Sequence, residues 1–133
     1  MYDVLIAIDA DEARATAQAR AVADLPGAED GLTAHLCHVF TDNPEGASVN
    51  QLAAVRRARE TLEDAGVSVA HHEASGDPGT EIVDAADDVD ADAICVSGRK
   101  RRPSGKAVFG SVTQDVILSS ELPVFAVPKP KPE

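Results

Sequence analysis

Residues 88–128 read DVDADAICVSGRKRRPSGKAVFGSVTQDVILSSELPVFAVP, two apolar runs of strand length separated by a basic, glycine-bearing loop and one helical segment. The first run, AICVS around Cys95, is apolar on both alternating sides. A strand with no polar side is covered on both faces, which is the condition inside a parallel sheet. SVTQDVILSS then places Val112, Val116 and Ile117 on one helical face, and ELPVFAVP supplies a second strand over Val124–Val127. The prolines of the tail 129–133 cannot continue that strand, because each removes a ladder donor. Strand, helix and strand in this order make a right-handed crossover between parallel neighbours.

Working toward the N-terminus, the same alternation repeats. VSVAHHEAS is a strand of weaker, alternating polarity that suits a sheet edge, and Asp77-Pro78 starts a short helix after it. LTAHLCHVF is a buried strand, and after the loop TDNPEG a helix with Ser48 as its cap puts Leu52, Val55, Ala58, Leu62 and Ala65 at three- and four-residue steps. YDVLIAID is the first strand, ending on Asp9; Asp11 caps the following helix, which Leu25-Pro26-Gly27 stops. Five strands alternating with helices predict a single α/β domain over 1–128, an open parallel sheet with helices on both faces and the strand order 3-2-1-4-5. In such sheets a ligand sits outside the carboxyl ends of the strands where their order reverses. That point lies between strands 1 and 4, so Asp9 and the segment 97–113 are brought to it.

Charge limits what the ligand and the surroundings can be. The chain carries 23 Asp and Glu against 12 Lys and Arg, a formal charge of -11, yet five of those basic residues, Arg99, Lys100, Arg101, Arg102 and Lys106, fall in one loop. The remaining acidic field repels polyphosphate, which excludes non-specific nucleic-acid binding and adhesion to anionic membranes. An alanine- and aspartate-rich composition with so few aromatic residues matches proteins of a salt-loaded cytoplasm. Two cysteines inside apolar runs, no leader segment and no long apolar stretch lead to the expectation of a cytoplasmic, reducing compartment.

The basic loop fails as a Walker A motif: Gly98 and Gly105 are separated by six residues rather than four, and Lys106 is followed by Ala107. A nucleic-acid tract would interleave aromatic residues, and RKRR has none. What the loop does have is Gly110-Ser111-Val112-Thr113 at a helix start, an arrangement that offers free amides and a hydroxyl to an anion. The bland alternative is a serine that caps a helix.

These segments together, YDVLIAID, CHVF, SGDPGTEIVDAADDVDADAICVSGR and GSVTQDVILSSELPVFAVP, resemble the universal stress protein family over the whole chain. The resemblance implies the Rossmann-like fold of the adenine nucleotide alpha hydrolases and a stress-response module that binds ATP with Mg, or a phosphate-like anion, at 97–113. It also implies a homodimer joined through strand 124–127 and at most slow ATP hydrolysis. By residue it brings Asp9 to the adenine and ribose, the Val39 backbone to the adenine edge, and Gly98, Gly110, Ser111, Val112 and Thr113 to the phosphates, with Gly76 in a nearby loop; by their charge, Arg99 and Arg101 are expected to hold phosphate through their side chains. The family's nucleotide binders carry Gly-x-x-Gly, nine residues and Gly-Ser; counted back from Gly110, this chain has Ser97 and Lys100 at the glycine positions. That departure supports the alternative of a nucleotide-free family member that docks an unknown protein partner or holds phosphate or chloride. A transferase on this fold would need substrate loops for which the chain leaves little room.

No metal or catalytic set emerges. His35 and Cys37 alternate onto one face and His38 onto the other, no CxxC or HxxxH spacing occurs, and His71-His72 is expected to be solvated. Because net charge at this density destabilises a compact state, the melting temperature is expected to rise strongly from low to molar KCl. A salt-independent melting temperature, measured by calorimetry, would contradict the halophilic reading.

Overall fold

A computed structural model describes residues 2–40, 45–98 and 110–128, with the backbone alone over 45–51. The five basic residues of 99–109 and the tail 129–133 lie outside the described residues. The elements run β1 (Tyr2–Ala7), α1 (Glu12–Ala23), α2 (Ala28–Gly31), β2 (Leu32–Phe40), α3 (Glu45–Asp64), β3 (Ser68–Ser75), α4 (Pro78–Asp88), β4 (Ala93–Ser97), α5 (Ser111–Ser119) and β5 (Val124–Val127). The strands form one sheet in the order β3-β2-β1-β4-β5. All four pairings are parallel, with Val4 opposite both Ala34 and Ala93 and Ile94 opposite Val124.

Successive residues of β1 point to opposite sides, and both sides are covered, so Val4, Leu5 and Ile6 are all fully buried. Val4, Ile6 and Ile8 join Ala34, Leu36 and Cys95 in a core with Ala15, Ala19 and Val22 of α1 and Val55, Ala58 and Leu62 of α3. Leu5, Cys37, Val39, Ile94 and Val96 form the other core, with Ile82 and Ala86 of α4 and Val116 of α5. Each large aliphatic side chain so covered contributes roughly 1.5–3 kcal/mol. At the closest point of α4 and α5 a β-carbon on Gly79 would stand 2.8 Å from the Asp115 Cβ, so only glycine fits.

Caps set the helix starts. The Asp11 carboxylate accepts the Arg14 N–H at 3.1 Å, and Asp77 accepts the Thr80 N–H at 3.2 Å with Pro78 in the first turn. Three details differ from the sequence reading. The third helix begins at Glu45 rather than behind Ser48; Leu52 lies on its exposed side and Ala65 in the exposed turn after it, the buried stripe being Ala54, Val55, Ala58 and Leu62. Ile117 is exposed, so α5 is anchored through Val116 and Thr113. Beyond Leu25-Pro26-Gly27 the chain makes one more helical turn, α2, entered through Gly27 at φ 75°.

The edge pair β2–β3 carries all four histidines, and His72 is not solvated: its Nε2 lies 2.9 Å from Nδ1 of His35, whose Nε2 is 2.9 Å from the Asp3 carboxylate. On the opposite face His38 is 1% exposed, stands edge-on to Phe40 with ring centroids 4.6 Å apart, and has no hydrogen-bond partner at either ring nitrogen. Burial disfavours its imidazolium and lowers its pKa, only partly opposed by Glu73 at 4.0 Å; the neighbouring His71 lowers it further. His72 is lowered as well, by burial, His35 and His71. A base whose folded pKa lies below its unfolded value leaves the unfolded chain holding more protons, so stability is full above the ordinary pKa of 6.5 and falls as pH drops below it. Chemical denaturation between pH 8 and 5 is therefore expected to show a decline on the acid side that His38→Leu makes shallower; equal slopes for the two proteins would contradict this.

Candidate functional site

Two crossovers leave the carboxyl edge in opposite directions, one through α1 toward β2 and one through α5 toward β5, and the described residues leave a space between them. A cleft of about 310 Å³ fills it. Its floor is the strand ends: Ala7 and Ile8 after β1, Cys37 and Val39 of β2, Val96 and Ser97 of β4. Pro78 and Ile82 of α4 form one wall, Gly110 to Thr113 the opposite one, and Asp9 and Arg14 the rim.

The frame of the cleft is held by hydrogen bonds to strand-end carbonyls. Thr113 Oγ1 donates to the Ser97 carbonyl at 2.7 Å, which seats the first turn of α5 over the end of β4. From the other face the buried Gln18 donates through Nε2 to the Ala7 carbonyl at 2.9 Å and to that of Cys95 at 3.4 Å. Helix α5 begins on Gly110, whose extended backbone (φ -69°, ψ 162°) brings no capping side chain. The first-turn amides therefore depend on a group from outside the helix. Together with the helix dipole, they favour an anion.

The opposite end has the reverse character. Asp9 accepts the Asp11 N–H on Oδ1 at 2.9 Å and Arg14 Nη1 on Oδ2 at 3.2 Å. Between the ends the floor is apolar and thiol chemistry is closed: burial, helped by the Glu81 carboxylate, pushes the Cys37 thiol up to about 11, and burial pushes Cys95 up to about 12. Both cysteines are free and remain protonated at neutral pH. Among the described residues no group of three or more His, Cys, Asp and Glu is arranged to hold a metal ion, and no helix is long and apolar enough to cross a membrane.

Of the residues singled out from sequence, Asp9, Val39, Gly110, Ser111, Val112 and Thr113 meet in this one cleft. Gly98 is elsewhere: its N–H donates to the Val127 carbonyl at 2.6 Å, extending the β4–β5 ladder, and it is not among the lining residues. Gly76 is likewise a turn residue, at φ 132° after β3. Arg99 and Arg101 lie outside the described residues. Sequence reasoning passed over Cys37 and Arg14. Strand alternation from Val39 points to Cys37, while Arg14 had only its place three residues beyond the capping Asp11 to mark it.

The chain matches the family model described as the universal stress protein family over residues 1–128. It is 31% identical over 80 residues to a universal stress protein of Methanocaldococcus jannaschii, a match covering 60% of this chain and 47% of that protein. The chain thus spans about half the length of such curated relatives. A solved universal stress protein from Archaeoglobus fulgidus superposes with a TM-score of 0.82 at 29% identity, over 96% of this chain and 98% of the other. A universal stress protein structure from Archaeoglobus fulgidus in complex with dAMP gives 0.77 at 24% identity over the same shares. Further structures of this fold are one in complex with cAMP and one from Arabidopsis thaliana with AMP bound. Their TM-scores are 0.71 and 0.72 at 21% and 15% identity, over 97% and 98% of this chain and 98% and 93% of theirs.

Proposed function

Because the chain belongs to the universal stress protein family, we propose that it is a stress-response module whose cleft binds an adenine nucleotide, ATP with Mg being the full ligand. The observation that carries this reading is the polarity of the cleft: a carboxylate acceptor at Asp9, an apolar floor, and the uncapped amides of α5 at the far end. A nucleotide has the matching order of parts, a hydroxyl-bearing sugar and a flat base at one side and a phosphate at the other. Val39 would meet the base through its backbone, and Gly110, Ser111 and Val112 the phosphate nearest the sugar. Arg99 and Arg101, by charge, would add side-chain contacts to the phosphates, offsetting the glycines missing at 97 and 100. Relatives of the same fold are complexes with dAMP, cAMP and AMP, which agrees with this reading. Binding is the proposed activity, with at most slow hydrolysis.

The nucleotide-free alternative has one observation in its favour. Ser97 and Lys100 stand where nucleotide-binding members carry glycine, and Ser97 lines the cleft.

We also propose that two copies associate through β5. This strand is an edge of the sheet, and Phe125 is 36% exposed on it. Tyr2, 42% exposed, shares with Phe125 a shallow apolar depression completed by Leu25 and Leu32. An unpaired strand edge beside exposed aromatic surface favours antiparallel pairing with a second copy. Light scattering at micromolar concentration is expected to give a dimer that Phe125→Asp shifts toward monomer; a monomeric unaltered protein would contradict the proposal.

Calorimetry with ATP, ADP and AMP at high salt, with and without Mg, tests the nucleotide reading. Gly110→Val is expected to abolish binding by filling the approach to the amides. Ser111→Ala should weaken it by about 1 kcal/mol, and Arg99→Ala or Arg101→Ala by more, as charge-assisted contacts are lost. No heat at millimolar nucleotide would leave the nucleotide-free module standing.

A further inference from the structure

Arg14 is a charged cleft residue that the sequence reading did not place in the site. It lies on the first turn of α1, its side chain is 27% exposed, and its Nη1 donates to Asp9 Oδ2 at 3.2 Å. Its Nε is buried, makes no hydrogen bond, and stands 3.8 Å from Asp11 Oδ2, which braces the guanidinium by charge. Asp9 follows the end of β1, has a side chain 46% exposed, and would otherwise turn freely about its side-chain torsions. With the Asp11 N–H on Oδ1 and Arg14 on Oδ2, each oxygen is tied to a different fixed donor and the plane of the carboxylate is set.

A carboxylate held this way can only accept, and the lone pairs left on its two oxygens point in defined directions. We infer that Arg14 is a positioning residue that orients Asp9 as a reader of sugar hydroxyls, so that the cleft prefers ribonucleotides over nucleotides lacking them. The inference rests on the nucleotide reading above and adds its sugar specificity. Arg14 acts through Asp9. Its charge also offsets one of the two neighbouring carboxylates, which eases entry of an anionic ligand.

The test compares AMP with its 2′,3′-dideoxy analogue by calorimetry on the unaltered protein, Arg14→Met, Arg14→Lys, Asp9→Asn and the Arg14→Met/Asp9→Asn double variant. The unaltered protein is expected to favour AMP by about tenfold, the scale of one hydrogen bond to a charged group. Arg14→Met and Asp9→Asn should each shrink that preference to about twofold or less, and the double variant should lose nothing further, because the two residues act as one unit. Arg14→Lys, which keeps the charge but not the planar fork, should retain an intermediate preference. Should Arg14→Met not fold, Arg14→Lys and Asp9→Asn carry the same comparison. An unchanged preference in the Arg14 variants, additive losses in the double variant, or a change in the AMP-to-adenosine preference instead would overturn the inference while leaving nucleotide binding intact. Failure of the unaltered protein to bind either nucleotide would overturn the nucleotide reading, and this inference with it.

Discussion

Pairing of β1 with β4, from Val4 against Ala93 to Ile6 against Cys95, forces the chain to leave β3 at one edge and travel back across the sheet through α4 before it enters the other half. Right-handed crossovers then place α1 and α3 on one face and α4 and α5 on the other. The two strands at the reversal send their following helices, α1 and α5, to opposite faces, and the described residues leave a cleft at their carboxyl ends. The cleft is a consequence of topology, present before any side chain lining it is chosen. It persists because the strands beneath it are fully buried: Leu5, Ile6, Ile94 and Cys95 have no exposed surface.

Topology opens the cleft, and polar bonds to strand-end carbonyls give it its dimensions. Thr113 fixes the start of α5 to Ser97, and Gln18 ties the ends of β1 and β4 together from the opposite face. A buried glutamine is costly unless both its polar atoms are met, and here Oε1 has no partner. That cost is accepted beneath the site, where the Gln18 amide bridges the Ala7 and Cys95 carbonyls. The near contact of Gly79 with Asp115 sets the third dimension, the approach of the α4 wall to α5. Position 79 is thus a steric constraint on cleft width, although its side chain is absent.

Legibility followed the number of covered faces. Strands covered on both sides leave uninterrupted apolar runs, which is why LTAHLCHVF coincides with β2 and AICVS with β4. Helix starts were legible where an acidic cap has an amide to meet, as at Asp11 and Asp77, and misread where residue type alone pointed to a cap, as at Ser48. Leu52 and Ile117 were misplaced because a three- and four-residue period tolerates neighbouring stripes, and only packing against the sheet selects between them. In the site, residues fixed by the strand-helix grammar, Asp9, Val39 and Gly110 to Thr113, could be placed in advance. Arg14 could not, since its importance lies in the direction of a long side chain, and sequence spacing does not encode a rotamer.

The proposed anionic ligand would meet local charges at the cleft that differ from those of the chain as a whole. At a formal charge of -11 the distant field opposes any phosphate, but that field is screened over roughly 10 Å in ordinary salt and less in concentrated salt. Contacts at the binding surface are screened far less. There the local charges differ from the average: the amides at Ser111 and Val112 carry the positive end of a helix dipole, and Arg14 answers Asp9 directly. Screening therefore weakens the repulsion more than it weakens the attraction, and the balance at the cleft shifts toward the anion as salt rises. At position 97 the chain carries serine, which lines the cleft, where a glycine would offer only backbone approach.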